Sequence, residues 1–363
     1  PYSFSIDGVN FTNLTGTFSN LADGNYTITV RDANLCETTQ VVTILYLPVT
    51  NVTDAPDTYY ATIQAAIDAA DPGDVINVCA GAYSEDVLVN KANLTISGAG
   101  AATTTVFGPI GGGGATFQVG AAGVIIEGFT ITRQGNSTPD WNNPGLNSSG
   151  VSIQSQGNTA IVRNNIITGN RTGIDINNSN GNTIYRNNIT FNRTGLIFRN
   201  QTDNTSMTEN FITNNWTVGV LFLDGSSMQS NVPPQQAINS TFNNNDISGN
   251  WYGNVVDRQS GGSLPAPGTN IKNFECNWYG DTSPSTSILN STEPGYMAQI
   301  PVLYGGSATN PGGATDILGL ASANIDYVSW LVDGSDADFL PTNGFQPVGG
   351  ECTGTPVVIT SAV

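Results

Sequence analysis

The chain has 363 residues, with 10 Lys and Arg against 28 Asp and Glu and no histidine, so its formal net charge is −18. Such an acidic chain lacks the basic surface that nucleic-acid phosphates require, and we expect no nucleic-acid partner. Without His, the chain lacks the usual general base, the commonest transition-metal ligand and any Ser-His-Asp or Cys-His arrangement. No apolar run approaches the roughly 18 residues of a membrane span, so we expect no membrane insertion.

The polar residues are mostly uncharged. Charged residues make up 10% of the chain, whereas about 25% is typical of soluble domains. Asn (43 residues), Ser and Thr (70 together) and Gly (42) take their place. Hydrophobic residues still reach 38%, and Val, Ile, Thr, Phe and Tyr recur in regular runs. This composition predicts a β-rich fold with a sizeable core.

Residues 1–47 have the pattern of a small β module. Alternating segments at 2–6, 26–30 and 41–44 are separated by Asp-Gly turns, which predicts three or four strands of an immunoglobulin-like sandwich, too few to cover both sheets. The motifs PYSFSIDG, LADGNYTITV and DANLC resemble the repeat module of large surface adhesins of Bacteroidota-type bacteria. In that family a further strand precedes PYSFSIDG, so the resemblance implies an incomplete module with one open sheet edge.

A short linker and a repetitive region follow. Residues 48–57 read as a linker, and residues 61–70 place apolar side chains on one helical face before a Pro-Gly-Asp stop. Between 124 and 256 an N-x-I-T-x-N-x-T-G-I pattern recurs with its glycines 22, 24 and 34 residues apart, at Gly173, Gly195, Gly219 and Gly253. A period of about 22–24 residues built from short strands predicts a β-solenoid.

The segment ATIQAAIDAADPGDVINVCAGAYSEDVLVNKANLTISG and the repeated coils resemble the right-handed parallel β-helix family with a pectin-lyase-like fold. The resemblance covers residues 58–335 and implies that the helix at 61–70 caps the N-terminal end, with closure near 274–280 and 327–333. The predicted fold class is therefore all-β: a right-handed parallel β-helix with an N-terminal capping helix, preceded by a small immunoglobulin-like β-sandwich module.

Asparagines suggest two separate roles. Asn165, Asn188, Asn210 and Asn245 align between coils and predict hydrogen-bonded ladders at the corners. The chain also holds 16 N-x-S/T sites, about twice the chance expectation for its composition. Repeat-derived sites apart, the glycosylation candidates are Asn10, Asn13, Asn25, Asn51, Asn136, Asn147, Asn239 and Asn290.

Enzymes of this fold use paired carboxylates, or an Arg or Lys base beside Asp-bound calcium. Asp175 aligns with Ile197 and Leu221 on the next coils, so no catalytic residue or metal ligand is assigned. No cofactor is predicted, although the lyase alternative would require calcium. Arg163 and Arg186 do align, and together with Asp175 they are candidates for binding an acidic glycan. Alternatively, the two arginines cover the coil surface and pair with nearby acids.

The last segment, 355–363, is apolar, uncharged and β-prone, and it follows a predicted linker at 336–354. We predict that this strand adds to the 1–47 module of the next copy, building a head-to-tail homopolymer. The donor residues would be Val357, Val358, Ile359 and Val363. Alternatively, it enters a neighbouring repeat of the same chain, or packs on its own β-helix.

Four widely spaced cysteines without a CxxC motif favour disulfides over zinc. We predict Cys36–Cys79 and Cys276–Cys352, each pair joining features expected near one end of the solenoid. A Cys36–Cys352 bond between copies is the alternative. The sequence thus predicts an extracellular structural or adhesive surface protein; the alternative is a polysaccharide lyase or hydrolase, or a module that binds surface polysaccharide.

Overall fold

The computed structural model describes residues 1–111, 114–135, 138–141, 143, 145–146, 148–223, 235–257, 268–287, 315–319, 324–338, 340, 343–348 and 352. Asn136, Asn147 and Asn290 lie outside these residues, and so does the predicted donor strand with Val357, Val358, Ile359 and Val363. No helix among the described residues is long and apolar enough to cross a membrane.

The N-terminal module is one antiparallel sheet of three strands, β1 (Ser3–Ser5), β2 (Gly24–Arg31) and β3 (Glu37–Ile44), in the order β1-β2-β3. Residues 1–47 are all described and form no second sheet, so the expected sandwich is reduced to one layer. Its strands are too few, as the sequence indicated, to close over an apolar interior.

The N-terminal end of the β-helix is capped by β4 (Val49–Asn51), β5 (Thr58–Tyr60) and α1 (Ile63–Ala69). Thr62 caps the helix, and the Glu85 carboxylate accepts hydrogen bonds from the backbone N–H groups of Ile63 and Gln64, each at 3.0 Å. The carboxylate thereby satisfies two donors that the first helical turn leaves free. The predicted capping helix is confirmed.

The predicted linker at 48–57 is not a linker throughout. Its strand β4 pairs antiparallel with both β5 and the first strand of the β-helix, and Val49 and Asn51 are buried. The flanking prolines suggested a loop, but the open end of a β-helix exposes strand edges, and β4 covers one of them.

The remaining elements form the coils. In chain order they are β6 (Val75–Val78), β7 (Gly81–Tyr83), β8 (Val87–Val89), β9 (Thr95–Gly98), β10 (Thr104–Gly108), β11 (Phe117–Val119), β12 (Ile125–Glu127), β13 (Thr130–Arg133), α2 (Thr138–Trp141), β14 (Ser149–Ile153), β15 (Ile161–Arg163), β16 (Ile166–Ile167), β17 (Thr172–Asn177), β18 (Thr183–Tyr185), β19 (Asn188–Thr190), β20 (Thr194–Arg199), β21 (Ser206–Thr208), β22 (Phe211–Thr213), β23 (Val218–Leu223), β24 (Thr241–Asn243), β25 (Gly253–Asp257), β26 (Lys272–Asn273), β27 (Thr286–Ser287), β28 (Thr315–Leu318) and β29 (Ile325–Asp326).

These strands stack into three sheets that run along the solenoid. An eleven-stranded sheet contains β6, β9, β12, β15, β18, β21, β24, β26 and β29 together with β4 and β5. A six-stranded sheet runs from β7 to β22, and a nine-stranded sheet runs from β8 to β28 and β27. Apart from the pairs made by β4, every pairing in these sheets is parallel. The predicted parallel β-helix is confirmed.

The core is a continuous column of side chains inside the coils. Ile126, Val162, Ile184 and Met207 occupy one register on successive strands of the eleven-stranded sheet, and each is fully buried. Toward the C-terminal end the column becomes aromatic: the buried rings there are Phe198, Phe222, Phe242 and Phe274. Each coil therefore buries its inward residues only against its neighbours.

Two buried asparagine ladders hold the corners. The first joins Asn165, Asn187, Asn210, Asn245 and Asn277 by Nδ2-to-Oδ1 hydrogen bonds of 2.9–3.2 Å. The second joins Asn170, Asn192, Asn215, Asn250 and Asn254 in the same way and ends on the carboxylate of Asp316. Ladders were expected, but Asn187 replaces the predicted Asn188, which lies one residue later in β19.

The C-terminal segment packs against the coils rather than acting as a free linker. Asp336 forms a bridge with Pro347, and the buried Phe345 packs edge-on against Phe211. Burial raises the pKa of Asp246 to about 6; Ser248 opposes the shift through a hydrogen bond, and the nearby Asp336 adds to it. The described part of the predicted linker at 336–354 thus packs against the coils.

One predicted disulfide forms and the other does not. Cys276 and Cys352 are bonded, which fastens the C-terminal segment to a late coil. Cys36 and Cys79 are both exposed free thiols. Cys36 lies at the β2–β3 turn and Cys79 directly follows β6, and the three-stranded sheet pairs with no described strand of the β-helix. The predicted Cys36–Cys79 bond is therefore wrong, and Cys352, the partner of Cys36 in the alternative, is already paired within its own chain.

Candidate functional site

The two arginines were expected to align, but the register partner of Arg163 is Tyr185, and Arg186 lies one residue later at the corner. Each arginine contacts a carboxylate of an adjacent coil. Nε of Arg163 donates to Oε2 of Glu127 at 2.6 Å, and Nε of Arg186 donates to Oε2 of Glu209 at 2.6 Å. Glu127 and Arg163 are direct register partners in the eleven-stranded sheet. Both arginine side chains keep more than a third of their surface exposed. The alternative expectation, arginines that pair with nearby acids, describes their local contacts.

Arg186 and Glu209 meet because they occupy the same corner of successive coils. Both have the left-handed backbone conformation, with φ of 54° and 56°, as do Asn164 and Asn244 on the flanking coils. Arg186 also lies over the Tyr185 ring, 4.8 Å from its centroid. The hydrogen bond that Arg186 donates to Glu209 raises the pKa of Arg186, and burial together with the Glu209 charge raises the pKa of Tyr185.

Arg186 borders two clefts at this corner. The larger, of about 500 Å³, is lined by Arg186, Asn164, Gly128, Asn343 and residues 99–103. The smaller, of about 370 Å³, is lined by Arg186, Glu209, Asn244, Gln346 and Pro347. Amide groups, backbone and one guanidinium therefore face the larger cleft, a lining suited to hydroxyl and carboxylate groups.

Asp175 lies on a different sheet from the two arginines. It belongs to β17 of the nine-stranded sheet, and its Oδ1 accepts a hydrogen bond of 2.9 Å from Nε of Arg199. Burial raises the pKa of Asp175, while Arg199 acts in the opposite direction. Because Arg163 and Arg186 belong to the eleven-stranded sheet and its corner, the structure does not assemble the three candidates into one glycan site.

The residues that follow Asp175 in its column form a covered apolar cluster. Ile197 and Leu221 are 5% and 4% exposed and pack with Val218, Val256 and Leu318. Strand alternation predicts that Ile197 and Leu221 point outward, beneath another subunit or beneath a covering loop such as 226–241. Their low exposure shows that this outer face is covered. Of the proposed loop, the structure describes residues 235–241.

The three-stranded sheet presents an open edge. In the described part of the chain, β3 pairs with β2 alone, whereas β1 is also bridged to Asn13 through Phe4. Every residue of β3 except Ile44 is exposed, and Val41 keeps 62% of its surface accessible. Glu37 is its only charged residue. Natural edge strands are usually short, charged or covered, and β3 is none of these.

Burial separates the glycosylation candidates. Asn51 is buried, and its Nδ2 donates to Asp74 at 2.7 Å, so it is not accessible to a transferase. Nδ2 of Asn10 and Asn13 donates to Asp7 and to the Thr17 carbonyl. Asn25 and Asn239 are exposed. The repeat-derived sites at Asn170, Asn192 and Asn215 are buried in the second asparagine ladder.

A buried ion pair lies inside the last coils. Nζ of Lys272 is 3.5 Å from Oδ2 of Asp257, and the two side chains are 0% and 1% exposed. This pair was not predicted from the sequence. Lys272 itself was conspicuous, since the chain has only two lysines and this one stands where the preceding coil places a small inward residue, but no local pattern indicates Asp257 as its partner.

Comparison with known proteins finds one family profile and several solved structures that are similar to this chain. The profile of a family described as periplasmic copper-binding protein (NosD) matches residues 114–257. Pectin methylesterase from Yersinia enterocolitica is a structural neighbour with 13% identity and a TM-score of 0.32, covering 60% of this chain and 71% of that one. Alginate lyase from Paenibacillus sp. str. FPU-7 has 12% identity, a TM-score of 0.33 and coverages of 60% and 70%. Pectin methylesterase PemA from Erwinia chrysanthemi has 9% identity, a TM-score of 0.32 and coverages of 61% and 86%. No curated protein matches the sequence.

The matched region does not fit a copper site. Residues 114–257 contain neither His nor Cys; of their two methionines, Met207 is buried in the core and Met228 lies outside the described residues. The described residues hold no group of three or more His, Cys, Asp or Glu side chains placed to bind a metal. Soft sulfur and imidazole donors are the ligands that copper prefers.

Proposed function

We propose that this protein is an extracellular structural β-helix whose N-terminal sheet accepts a strand from residues 355–363 of another copy, or of a neighbouring repeat. The observation that carries the proposal is β3, an exposed strand of eight residues with one charge and an outer edge that pairs with no described strand. Free backbone N–H and C=O groups along such an edge are a template for an added strand.

The proposed donor matches this edge in length and chemistry. Residues 355–363 (TPVVITSAV) are nine in number, carry no charged side chain and are rich in β-branched residues. The exposed side chains near the edge include Val41, Val42 and Leu45, so a strand bearing Val and Ile would bury apolar surface on both partners. When the strand of one copy adds to the sheet of the next, the interface is heterologous, because two different surfaces meet. If such contacts do not close into a ring, the copies assemble into a fibre.

Strand addition is tested with a variant that ends at Gly354. A synthetic peptide of residues 355–363 should bind this variant and protect the backbone amides of β3 from hydrogen exchange, while amides of the coils stay unchanged. The matched control is the same peptide with Ile359→Pro, which lacks a ladder donor and should bind much more weakly. Equal binding of the two peptides, or protection elsewhere, would reject the proposal.

A second function is supported by the larger cleft beside Arg186. The cleft combines a guanidinium with amide groups, which suits an acidic polysaccharide. Similar folds occur in pectin methylesterases and an alginate lyase. The Arg186→Gln variant should lose binding to alginate or pectin, whereas Arg163→Gln should not, because Arg163 makes the same type of ion pair away from this cleft. Undiminished binding by Arg186→Gln would exclude the site.

A further inference from the structure

The buried Lys272–Asp257 pair is unusual in its surroundings. Asp257 occupies the inward register of Phe222 at the end of β25, and Lys272 begins β26 across the interior. Nζ of Lys272 lies 4.7 Å from the centroid of the Phe222 ring. The amine and the carboxylate therefore face each other against an aromatic wall, in a space that every earlier coil fills with apolar or small side chains.

The next coil covers the pair from the other side. Ile325 is the register partner of Lys272 in β29. Gly319 lies so close to Asp257 that a Cβ there would be 2.4 Å from the Asp257 carbonyl oxygen. Both side chains are almost completely buried.

This environment is unfavourable for two separated charges. The 3.5 Å contact is longer than a good hydrogen bond, and Nζ of Lys272 has no hydrogen-bond partner among the described residues. A buried ammonium without acceptors is costly, and such a pair is relieved when a proton moves from the amine to the carboxylate. Burial lowers the pKa of Lys272, which favours the neutral, nucleophilic amine, although Asp257 opposes the shift.

We propose that Lys272 and Asp257 form an intramolecular amide cross-link between Nζ and Cγ. Nζ first transfers one proton to Oδ2, which leaves a neutral amine and a carboxylic acid in contact. The amine lone pair then attacks Cγ, an N–C bond forms and the bond from Cγ to the hydroxyl oxygen breaks. The hydroxyl leaves with a second proton from Nζ as one water molecule, so no oxidant or co-reactant is consumed.

The cross-link gives the last coils a covalent brace. It ties the end of β25 in the nine-stranded sheet to the start of β26 in the eleven-stranded sheet. The Cys276–Cys352 disulfide lies just beyond it and fastens the C-terminal segment. Unlike that disulfide, the amide persists under reducing conditions, so the C-terminal end of the solenoid would stay closed under load.

Mass spectrometry of the reduced, denatured full chain tests the proposal. The expected mass is one water below that of the sequence, and trypsin should release a branched peptide containing Asp257 and Lys272, uncleaved after Lys272. Succinimides at Asp-Gly sites such as Asp7-Gly8 also lose water, so the branched peptide is the decisive evidence.

Variants provide the controls. Lys272→Met should restore the full mass, whereas Lys91→Met, which removes the other lysine, should retain the water loss. If Lys272→Met does not fold, the double variant Lys272→Met/Asp257→Leu replaces the pair with apolar side chains and should also show the full mass. In the denatured chain without substitutions, an acetylating reagent should label Lys91 but not Lys272, because the Lys272 amine is already part of the amide.

Two results would overturn the proposal. The first is a full-mass chain in which trypsin cleaves normally after Lys272 and the reagent labels both lysines. The second is loss of ammonia instead of water, with Lys272 joined to an asparagine. Asn324 would then be the partner. Its buried side-chain amide has no hydrogen-bond partner among the described residues, and its backbone carbonyl accepts a hydrogen bond of 2.7 Å from the backbone N–H of Lys272.

Discussion

Replacing Asn210 by Ala should destabilise the β-helix strongly, because this side chain is the centre of the first asparagine ladder. Its Nδ2 donates to the carbonyls of Ile184 and Thr208 and to Oδ1 of Asn245, each at 2.9 Å. Its Oδ1 accepts from the backbone N–H of Asn187 at 2.9 Å and from Nδ2 of Asn187 at 3.0 Å. All of the ladder side chains involved are fully buried.

The magnitude follows from the groups left without partners. Orphaning the buried Asn187 N–H costs about 1–3 kcal/mol, and the other lost hydrogen bonds cost about 1 kcal/mol each. We therefore expect Asn210→Ala to lower the free energy of unfolding by about 3–6 kcal/mol. The matched control is Asn188→Ala, an asparagine on the outer side of β19, which should change it by no more than about 0.5 kcal/mol.

Guanidinium denaturation followed by tryptophan fluorescence measures both variants under the same conditions. The reasoning is refuted if Asn210→Ala unfolds within about 1 kcal/mol of Asn188→Ala, because buried ladder hydrogen bonds would then contribute no more than a surface amide.

Three further outcomes follow from the structure. The pKa of Asp246 is raised to about 6, so its protonation stabilises the fold at low pH and that contribution is lost as pH rises from about 4 to about 6. Asp246→Asn should accordingly gain about 1–3 kcal/mol of unfolding free energy over the unmodified chain between pH 4 and pH 7.5, and a constant difference across that range would contradict the assignment. Cys276→Ser should cost about 4 kcal/mol, since its disulfide closes a loop of 76 residues; an unchanged denaturation midpoint would show that the bond contributes nothing. In a host with an N-glycosylation pathway, glycopeptide mapping should find glycans at Asn25 and Asn239 but none at the buried Asn51, and a glycan at Asn51 would contradict its burial.

The solenoid could be predicted from sequence because each coil repeats the same local pattern. The glycine spacing gave the period, and the apolar face at 61–70 marked a helix that the structure places at Ile63–Ala69. The exact register between coils was harder to predict from the sequence. Asn187 and Asn188 are adjacent in the repeat, and only the three-dimensional stacking shows that Asn187 is the one that joins the ladder.

Long-range contacts explain the remaining differences. Strand alternation correctly sent Ile197 and Leu221 away from the main core, but it carries no information about what packs over that outer face. Likewise, residues Val49–Asn51 of the predicted linker form strand β4 because they pair with β6 at the open end of the β-helix, a contact that the local sequence does not show. The Lys272–Asp257 contact joins two sheets across the interior, a relationship that no local sequence pattern encodes.

The most direct test of the proposed function is electron microscopy of the full chain beside the variant that ends at Gly354. The account predicts end-to-end filaments or oligomers for the full chain, single particles for the variant, and a full chain reduced to single particles by excess peptide of residues 355–363. Discrete single particles in both samples, or filaments that persist without the last nine residues, would contradict strand addition as the basis of assembly.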